Sequence, residues 1–169
     1  IDRQGRRTIP VEFDIQRQGF QSVPVDILFI LDTTGSMGEE IARLRQTIEI
    51  IYMNLASMAN RPNLRFGMVL YKDRGDEYVT RTVALTNDLD EFQAELDTVT
   101  ASGGGDGPED LQSALQAGIE RIQWRDEGIR LSFVITDAQA HLDYGQEYTY
   151  VDAAHNARNR AIKIFTVGT

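Results

Sequence analysis

Residues 25–36 read VDILFILDTTGS, an apolar run followed by an aspartate, two threonines, a glycine and a serine. A run of aliphatic, β-branched and aromatic residues of this length predicts a buried strand over Val25–Leu31. A helical pattern begins directly after the polar residues. We expect Asp32, Thr34 and Ser36 to meet at one spot, because alternate residues can point the same way and the glycine between them permits a tight turn.

These three side chains offer one carboxylate and two neutral hydroxyls, all of them hard oxygen donors. Such donors suit Mg²⁺ or Mn²⁺, with Ca²⁺ as a further candidate. The segment therefore predicts a divalent metal site directly after the first strand.

The rest of the chain alternates between strand and helix patterns. Apolar spacing predicts helices over 38–59, 88–98, 108–124 and 150–160, and strands over 25–31, 64–71, 79–85, 131–136 and 162–167. This alternation predicts an α/β fold with a mostly parallel sheet covered on both faces and an antiparallel edge strand at 79–85. Asp32 and Asp137 each follow a strand of that sheet, so the topology brings both acids to the edge where ligands bind in such folds.

Two helix starts carry recognisable signals. Ser36 followed by Glu39 matches a capping box, and Pro108 suits the first turn of the helix that follows it.

The chain resembles a von Willebrand factor A (VWA) domain. The segment Asp32-Thr33-Thr34-Gly35-Ser36 is similar to the Asp-x-Ser/Thr-x-Ser signature, the first element of that family's metal-ion-dependent adhesion site, and Thr34-Gly35-Ser36-Met37 has the form common in prokaryotic members. The resemblance implies a three-layer, doubly wound, Rossmann-like domain over residues 25–169. We expect residues 1–24 to be a lead-in with an edge strand at 11–16. The family's final helix has no counterpart here, so we expect a domain that is truncated at its C-terminal end.

Two further segments match the family's metal loops. The first is Gly103-Gly104-Gly105-Asp106-Gly107-Pro108-Glu109, in which the resemblance implies that Asp106 approaches the metal. The residues alone leave an N-cap role open for Asp106, and they favour a capping or dipole-compensating role for Glu109. The second is Asp137, which matches the acid of the third metal loop; its alternative is a turn aspartate at a strand end. The predicted metal ligands are Asp32, Thr34, Ser36, Asp106 and Asp137.

The resemblance also implies a function. VWA domains use an open metal position to accept a carboxylate from a partner protein, so we expect a metal-dependent adhesion or interaction module and not an enzyme. Met37, Arg74 and the loop 137–145 should flank the site. Two alternatives stay open: a haloacid-dehalogenase-like phosphotransferase with Asp32 as nucleophile, and a VWA module whose metal is purely structural.

The amino-acid composition limits the classes of partner that we expect the protein to bind. The chain has 169 residues, 41% hydrophobic and 25% charged, with a formal net charge of −9, which argues against nucleic acid and anionic lipid as partners. It has no cysteine, so disulfides and thiolate metal sites are excluded, and no apolar stretch is long enough for membrane insertion. We expect a prokaryotic, extracytoplasmic protein (secreted, periplasmic or on the cell surface), with a cytoplasmic location left open.

Overall fold

The structure is a computed structural model, and it describes residues 22–105 and 108–168. The predicted edge strand at 11–16 and the predicted ligand Asp106 lie outside the described residues.

A five-stranded sheet forms the centre of the domain. The described strands are β1 Pro24–Asp32, β2 Asn63–Tyr71, β3 Thr80–Thr86, β4 Pro108–Glu109, β5 Ile129–Thr136, β6 Gln139–Ala140 and β7 Ile162–Gly168. The central sheet has the order β3-β2-β1-β5-β7, with β3 antiparallel to β2 and every other pair parallel. Strands β4 and β6 form a separate parallel pair. The predicted mostly parallel sheet with one antiparallel edge strand is confirmed.

The helices connect the parallel strands. They are α1 Gly38–Ala56, α2 Leu89–Asp97, α3 Leu111–Gln116 and α4 Tyr150–Asn159. A short 3₁₀ turn, Gly35–Met37, precedes α1, and a π-helical turn, Ala117–Arg121, extends α3.

Strand β1 lies between two apolar layers. Its side chains on one face pack with α1 and α2: Val25, Ile27, Phe29 and Leu31. Leu28 and Ile30 on the other face pack with α3 and α4. The apolar run in the sequence has no alternation because β1 is buried on both faces, as expected for the centre of a parallel sheet. The domain therefore has the predicted three layers.

The helix α1 begins at Gly38 as predicted, but the capping signals assigned to two helix starts were wrong. The capping box does not form: no side chain caps α1, because the 3₁₀ turn places Ser36 inside a turn and leaves it exposed. Pro108 pairs with β6 as part of β4, so it lies before α3. Asp110 is the N-cap of that helix and accepts a hydrogen bond from the Ser113 amide at 3.0 Å.

One face of the sheet is open beside α1. An apolar groove of about 510 Å³ runs between α1 and strands β5 and β7, with Leu44, Phe133 and Val167 among its walls. Phe165 on β7 stacks with Phe133 at 5.3 Å between ring centroids and is 47% exposed. Across the described part of the chain, no helix has the length and hydropathy needed to cross a membrane.

Candidate metal centre

Asp32 ends β1 with its carboxylate inside the protein. The residue is 0% exposed. Its Oδ1 accepts hydrogen bonds from the Thr34 amide at 2.9 Å and the Thr34 hydroxyl at 2.7 Å. Its Oδ2 accepts from the Thr136 hydroxyl, at the end of β5, at 2.8 Å. Asp32 therefore links the ends of two neighbouring strands and fixes the orientation of the Thr34 hydroxyl. The oxygen of that hydroxyl still has lone pairs that a cation or a hydrogen-bond donor can use.

A polar cavity of about 340 Å³ lies beyond Thr34, at the edge where the parallel strands end (the carboxyl edge). Its lining residues with oxygen-bearing side chains come from three separate segments of the chain: Thr34, Ser36, Glu109 and Asp137. Thr34 is buried, while Ser36 and Asp137 are exposed. Three of the five predicted ligands therefore line one cavity, and Asp32 supports one of them from behind.

The glycine-rich loop lies directly against the loop that follows β1. The Gly35 amide donates to the Gly103 carbonyl at 3.0 Å, and the Ser102 amide donates to the Thr33 carbonyl at 3.0 Å. Gly104 has a φ of +81°, and a Cβ on it would lie 3.0 Å from Thr34 Cβ and 3.1 Å from Glu109 Oε1. A side chain at this position would fill the space between two potential ligands, so glycine keeps the cavity open.

Glu109 is the functional candidate that sequence reasoning placed wrongly. Glu109 lies in β4, where it is 3% exposed and forms part of the cavity wall. The capping role that the sequence suggested for Glu109 is filled by Asp110. Its position depends on the pairing of β4 with β6, since Glu109 lies opposite Ala140 in that pair. The only local signal was its proximity to the glycine-rich loop.

The acidic side chains Asp32 and Glu109 both lie near the buried Tyr71. Burial, and then the nearby charge of Asp32, raise the pKa of Tyr71, and Glu109 acts in the same direction. Tyr71 is 1% exposed and lies at the end of β2. These neighbouring carboxyl groups disfavour a negative charge on Tyr71.

The side chains present fit a divalent cation. The donors are carboxylate and hydroxyl oxygens, which are the ligands that Mg²⁺, Mn²⁺ and Ca²⁺ take in proteins. Within residues 22–105 and 108–168, no group of three or more acidic or histidine side chains is placed to hold a metal, so an ion held by these residues alone would also need hydroxyl oxygens. The space kept by Gly104 is a second feature that suits a bound ion.

The predicted flanking residues divide into two groups. Met37 directly follows the cavity residue Ser36, but it is 0% exposed and belongs to the core, so its side chain does not form part of the surface around the site. Arg74 and Tyr144 do lie on loops at the carboxyl edge, with the guanidinium carbon 4.2 Å from the Tyr144 ring centroid. Asp137 directly follows β5 as predicted.

Comparisons with known proteins agree with this architecture. The family model described as von Willebrand factor A domain matches residues 26–168. The chain is 32% identical over 126 residues to an alpha-protein kinase, vwkA, of Dictyostelium discoideum, covering 73% of this chain and 19% of that protein. It is 38% identical over 88 residues to the human von Willebrand factor A domain-containing protein 7, covering 52% of this chain and 9% of that protein. The chain thus spans a small part of these relatives.

A solved structure shares the fold. The pilus adhesin SpaC from Lactobacillus rhamnosus GG superposes with a TM-score of 0.64 at 14% identity, covering 88% of this chain and 24% of that one.

Proposed function

The chain belongs to the von Willebrand factor A domain family, and from this premise we propose that it is a protein-binding module that works through a divalent cation at the carboxyl edge of its sheet. The observation that carries the proposal is the cavity that hydroxyl and carboxylate residues from three chain segments line together. Parallel α/β sheets bind ligands at this edge. The adhesin among its structural neighbours is consistent with an adhesion role.

We assign the cation to Thr34, Ser36 and Asp137, with Asp32 orienting Thr34. Glu109 is an additional candidate ligand from the cavity wall. Asp106 stays a prediction. Mg²⁺ is the proposed ion, with Mn²⁺ and Ca²⁺ as alternatives, because all three accept this oxygen donor set.

The cation would supply the attraction that the chain itself lacks. With a formal net charge of −9, the protein repels an acidic partner at long range. A dication that keeps an exchangeable coordination position offers a carboxylate of the partner a direct ligand bond. We therefore propose a partner protein that presents an acidic side chain, and an extracytoplasmic, prokaryotic setting for the encounter.

The burial and the hydrogen bonds of the Asp32 carboxylate support a non-enzymatic role. A phosphotransferase of the haloacid dehalogenase type would need this carboxylate as its nucleophile. Both of its oxygens accept hydrogen bonds from Thr34 and Thr136, and the residue is 0% exposed. A carboxylate held in this way is suited to positioning Thr34 and is poorly placed to attack a substrate.

The test is binding of short peptides that carry a single aspartate, compared with the same peptides carrying asparagine. We expect aspartate peptides to bind in Mg²⁺ and to be released by EDTA. Asp137→Asn should weaken this binding about tenfold or more, by analogy with the loss of groups that support a metal. Asp143→Asn, a change at a 78% exposed carboxylate on the same loop, is the matched control. Equal binding in Mg²⁺ and EDTA would contradict the proposal.

A further inference from the structure

Arg74 is an exposed basic side chain among acidic residues on the loops at the carboxyl edge. The described loops at the carboxyl edge span residues 33–37, 72–79, 101–105 and 137–149, and their lysines and arginines are Lys72 and Arg74. Lys72 is 2% exposed, whereas the Arg74 side chain is 45% exposed. The exposed acids on these loops are Glu77, Asp137, Asp143 and Glu147. An acidic group that approaches this edge therefore meets a single accessible arginine among these loop residues.

The guanidinium of Arg74 is held in place from two sides. It lies over the Tyr144 ring, with 4.2 Å between the guanidinium carbon and the ring centroid. Its Nε donates to Asp110 Oδ2 at 3.2 Å, and Asp110 is 1% exposed. Tyr144 is itself fixed by its hydroxyl, which donates to Asp73 Oδ1 at 2.6 Å. An arginine that is already ordered loses little conformational entropy when it binds a partner.

The terminal nitrogens of Arg74 are left for a ligand. Among the residues that the structure describes, none accepts a hydrogen bond from Nη1 or Nη2. These two nitrogens donate in the plane of the guanidinium, a geometry that matches the two oxygens of a carboxylate.

The contacts of Arg74 connect it to segments that form the polar cavity. Asp110, its ion-pair partner, directly follows Glu109 of the cavity wall. Tyr144, which supports the guanidinium, belongs to the loop that begins with Asp137 at the cavity. One short segment of a partner can therefore span both places.

We propose that the partner segment carries two acidic side chains, one for the cation site and one for the terminal nitrogens of Arg74. This inference rests on the proposed function and specifies the partner chemistry of the same site. The second acidic group gives selectivity, because a lone carboxylate engages the cation alone, whereas a correctly spaced pair also satisfies the arginine.

The experiment measures binding of immobilised short peptides in Mg²⁺. One set carries a single aspartate, and a second set carries two aspartates at systematically varied spacing. We expect one spacing to bind about three- to tenfold more tightly than the single-aspartate peptide, the gain of one charge-assisted contact at a half-exposed arginine. Arg74→Gln should remove this gain and leave single-aspartate binding and calorimetric Mg²⁺ affinity unchanged.

Arg81→Gln is the matched control. Arg81 is 43% exposed and pairs with one carboxylate, Glu95, just as Arg74 pairs with Asp110. The control should keep the preference for two aspartates. If Arg74→Gln keeps that preference, or if the original chain shows none while single-aspartate peptides still bind in Mg²⁺, the inference about Arg74 is wrong and the proposed function stands. If no aspartate peptide binds in a Mg²⁺-dependent way, the proposed function and this inference both fall.

Discussion

Gly104 shows how one residue keeps the candidate site open. Its backbone has a positive φ, and the nearest atoms to its absent Cβ belong to Thr34 and Glu109, which both line the cavity. The next residue, Gly105, has no atom within 4 Å of the corresponding position. Of these two adjacent glycines, Gly104 therefore has no room for a side chain, whereas Gly105 does.

Gly104→Ala should weaken both the fold and the site. The new Cβ would lie 3.0 Å from Thr34 Cβ in a backbone conformation that costs about 1 kcal/mol or more for a residue with a side chain. We expect the free energy of unfolding to fall by about 1–2 kcal/mol and the Mg²⁺ affinity to fall as Thr34 shifts. Urea unfolding and calorimetric titration measure the two effects. Gly105→Ala should change neither, and equal effects of the two substitutions would contradict this role of Gly104.

At the scale of single residues, the grouping of side chains around the cavity was partly predictable. The local sequence indicated that Asp32, Thr34 and Ser36 lie together, because they occupy alternate positions at the end of one strand; Thr34 and Ser36 line the cavity, and Asp32 accepts a hydrogen bond from Thr34. Glu109 was missed because its place in the cavity wall depends on β4 pairing with β6, a contact between residues that are distant in sequence. Local capping rules gave a plausible but wrong role for it.

At the scale of secondary-structure elements, a buried carboxylate ties the starts of the central strands together. Asp26 on β1 is 1% exposed and accepts hydrogen bonds from Arg65 Nε at 2.9 Å and Arg125 Nε at 2.8 Å. Arg65 lies on β2, and Arg125 lies on the segment before β5. This cluster lies at the end of β1 opposite the candidate metal centre, so it is a structural feature separate from that site.

Asp26→Ala should destabilise the domain strongly. The substitution leaves two partly buried guanidinium groups without their carboxylate, and breaking such a cluster costs about 3 kcal/mol or more. Asp97→Ala is the control, because Asp97 is 72% exposed and its contact with Arg45 is 3.7 Å long. That exposed pair should contribute less than about 1 kcal/mol. Urea unfolding of both variants tests the account, and similar losses in the two would contradict it.

The same cluster predicts a specific response to acid. Burial opposes ionisation of Asp26, but the hydrogen bonds from Arg65 and Arg125 outweigh it and lower the pKa of this carboxyl in the folded protein. Its contribution to stability is therefore complete above its unfolded pKa of about 4 and is lost as the pH falls through the lowered folded value. Unfolding free energies measured from neutral pH into acid should show the gap between the original chain and Asp26→Ala closing below about pH 4. A gap that stays constant into acid would contradict this assignment.

Strands and helices could be predicted from the sequence where the burial of apolar side chains determines them. The apolar run of β1 predicted a fully buried strand, and the structure extends it by one residue at each end, from Pro24 to Asp32. The start of α3 was not predictable, because Pro108 suits a helix locally yet pairs with Gln139 of β6. Asp26 was missed for a similar reason: its partners Arg65 and Arg125 lie 39 and 99 residues away along the chain.

At the scale of the whole molecule, the apolar core and the candidate site lie in different parts of the fold. The core lies in two apolar layers on either side of the sheet. The candidate site lies at the carboxyl edge, where Asp32 holds the ends of β1 and β5 together and the loops supply the exposed oxygens. Alternating strands and helices in the sequence predicted this arrangement, since parallel connections bring loops that are distant in sequence to the same edge.

Calorimetric titration of the chelator-treated protein with Mg²⁺ tests the central claim most directly. The account predicts saturable binding at one site in the original chain, loss of that binding in Asp137→Asn, and its retention in Asp143→Asn. Asp137 lines the cavity and Asp143 does not, although both carboxylates are exposed on the same loop. Absence of binding in the original chain, or binding that survives Asp137→Asn unchanged, would contradict the account.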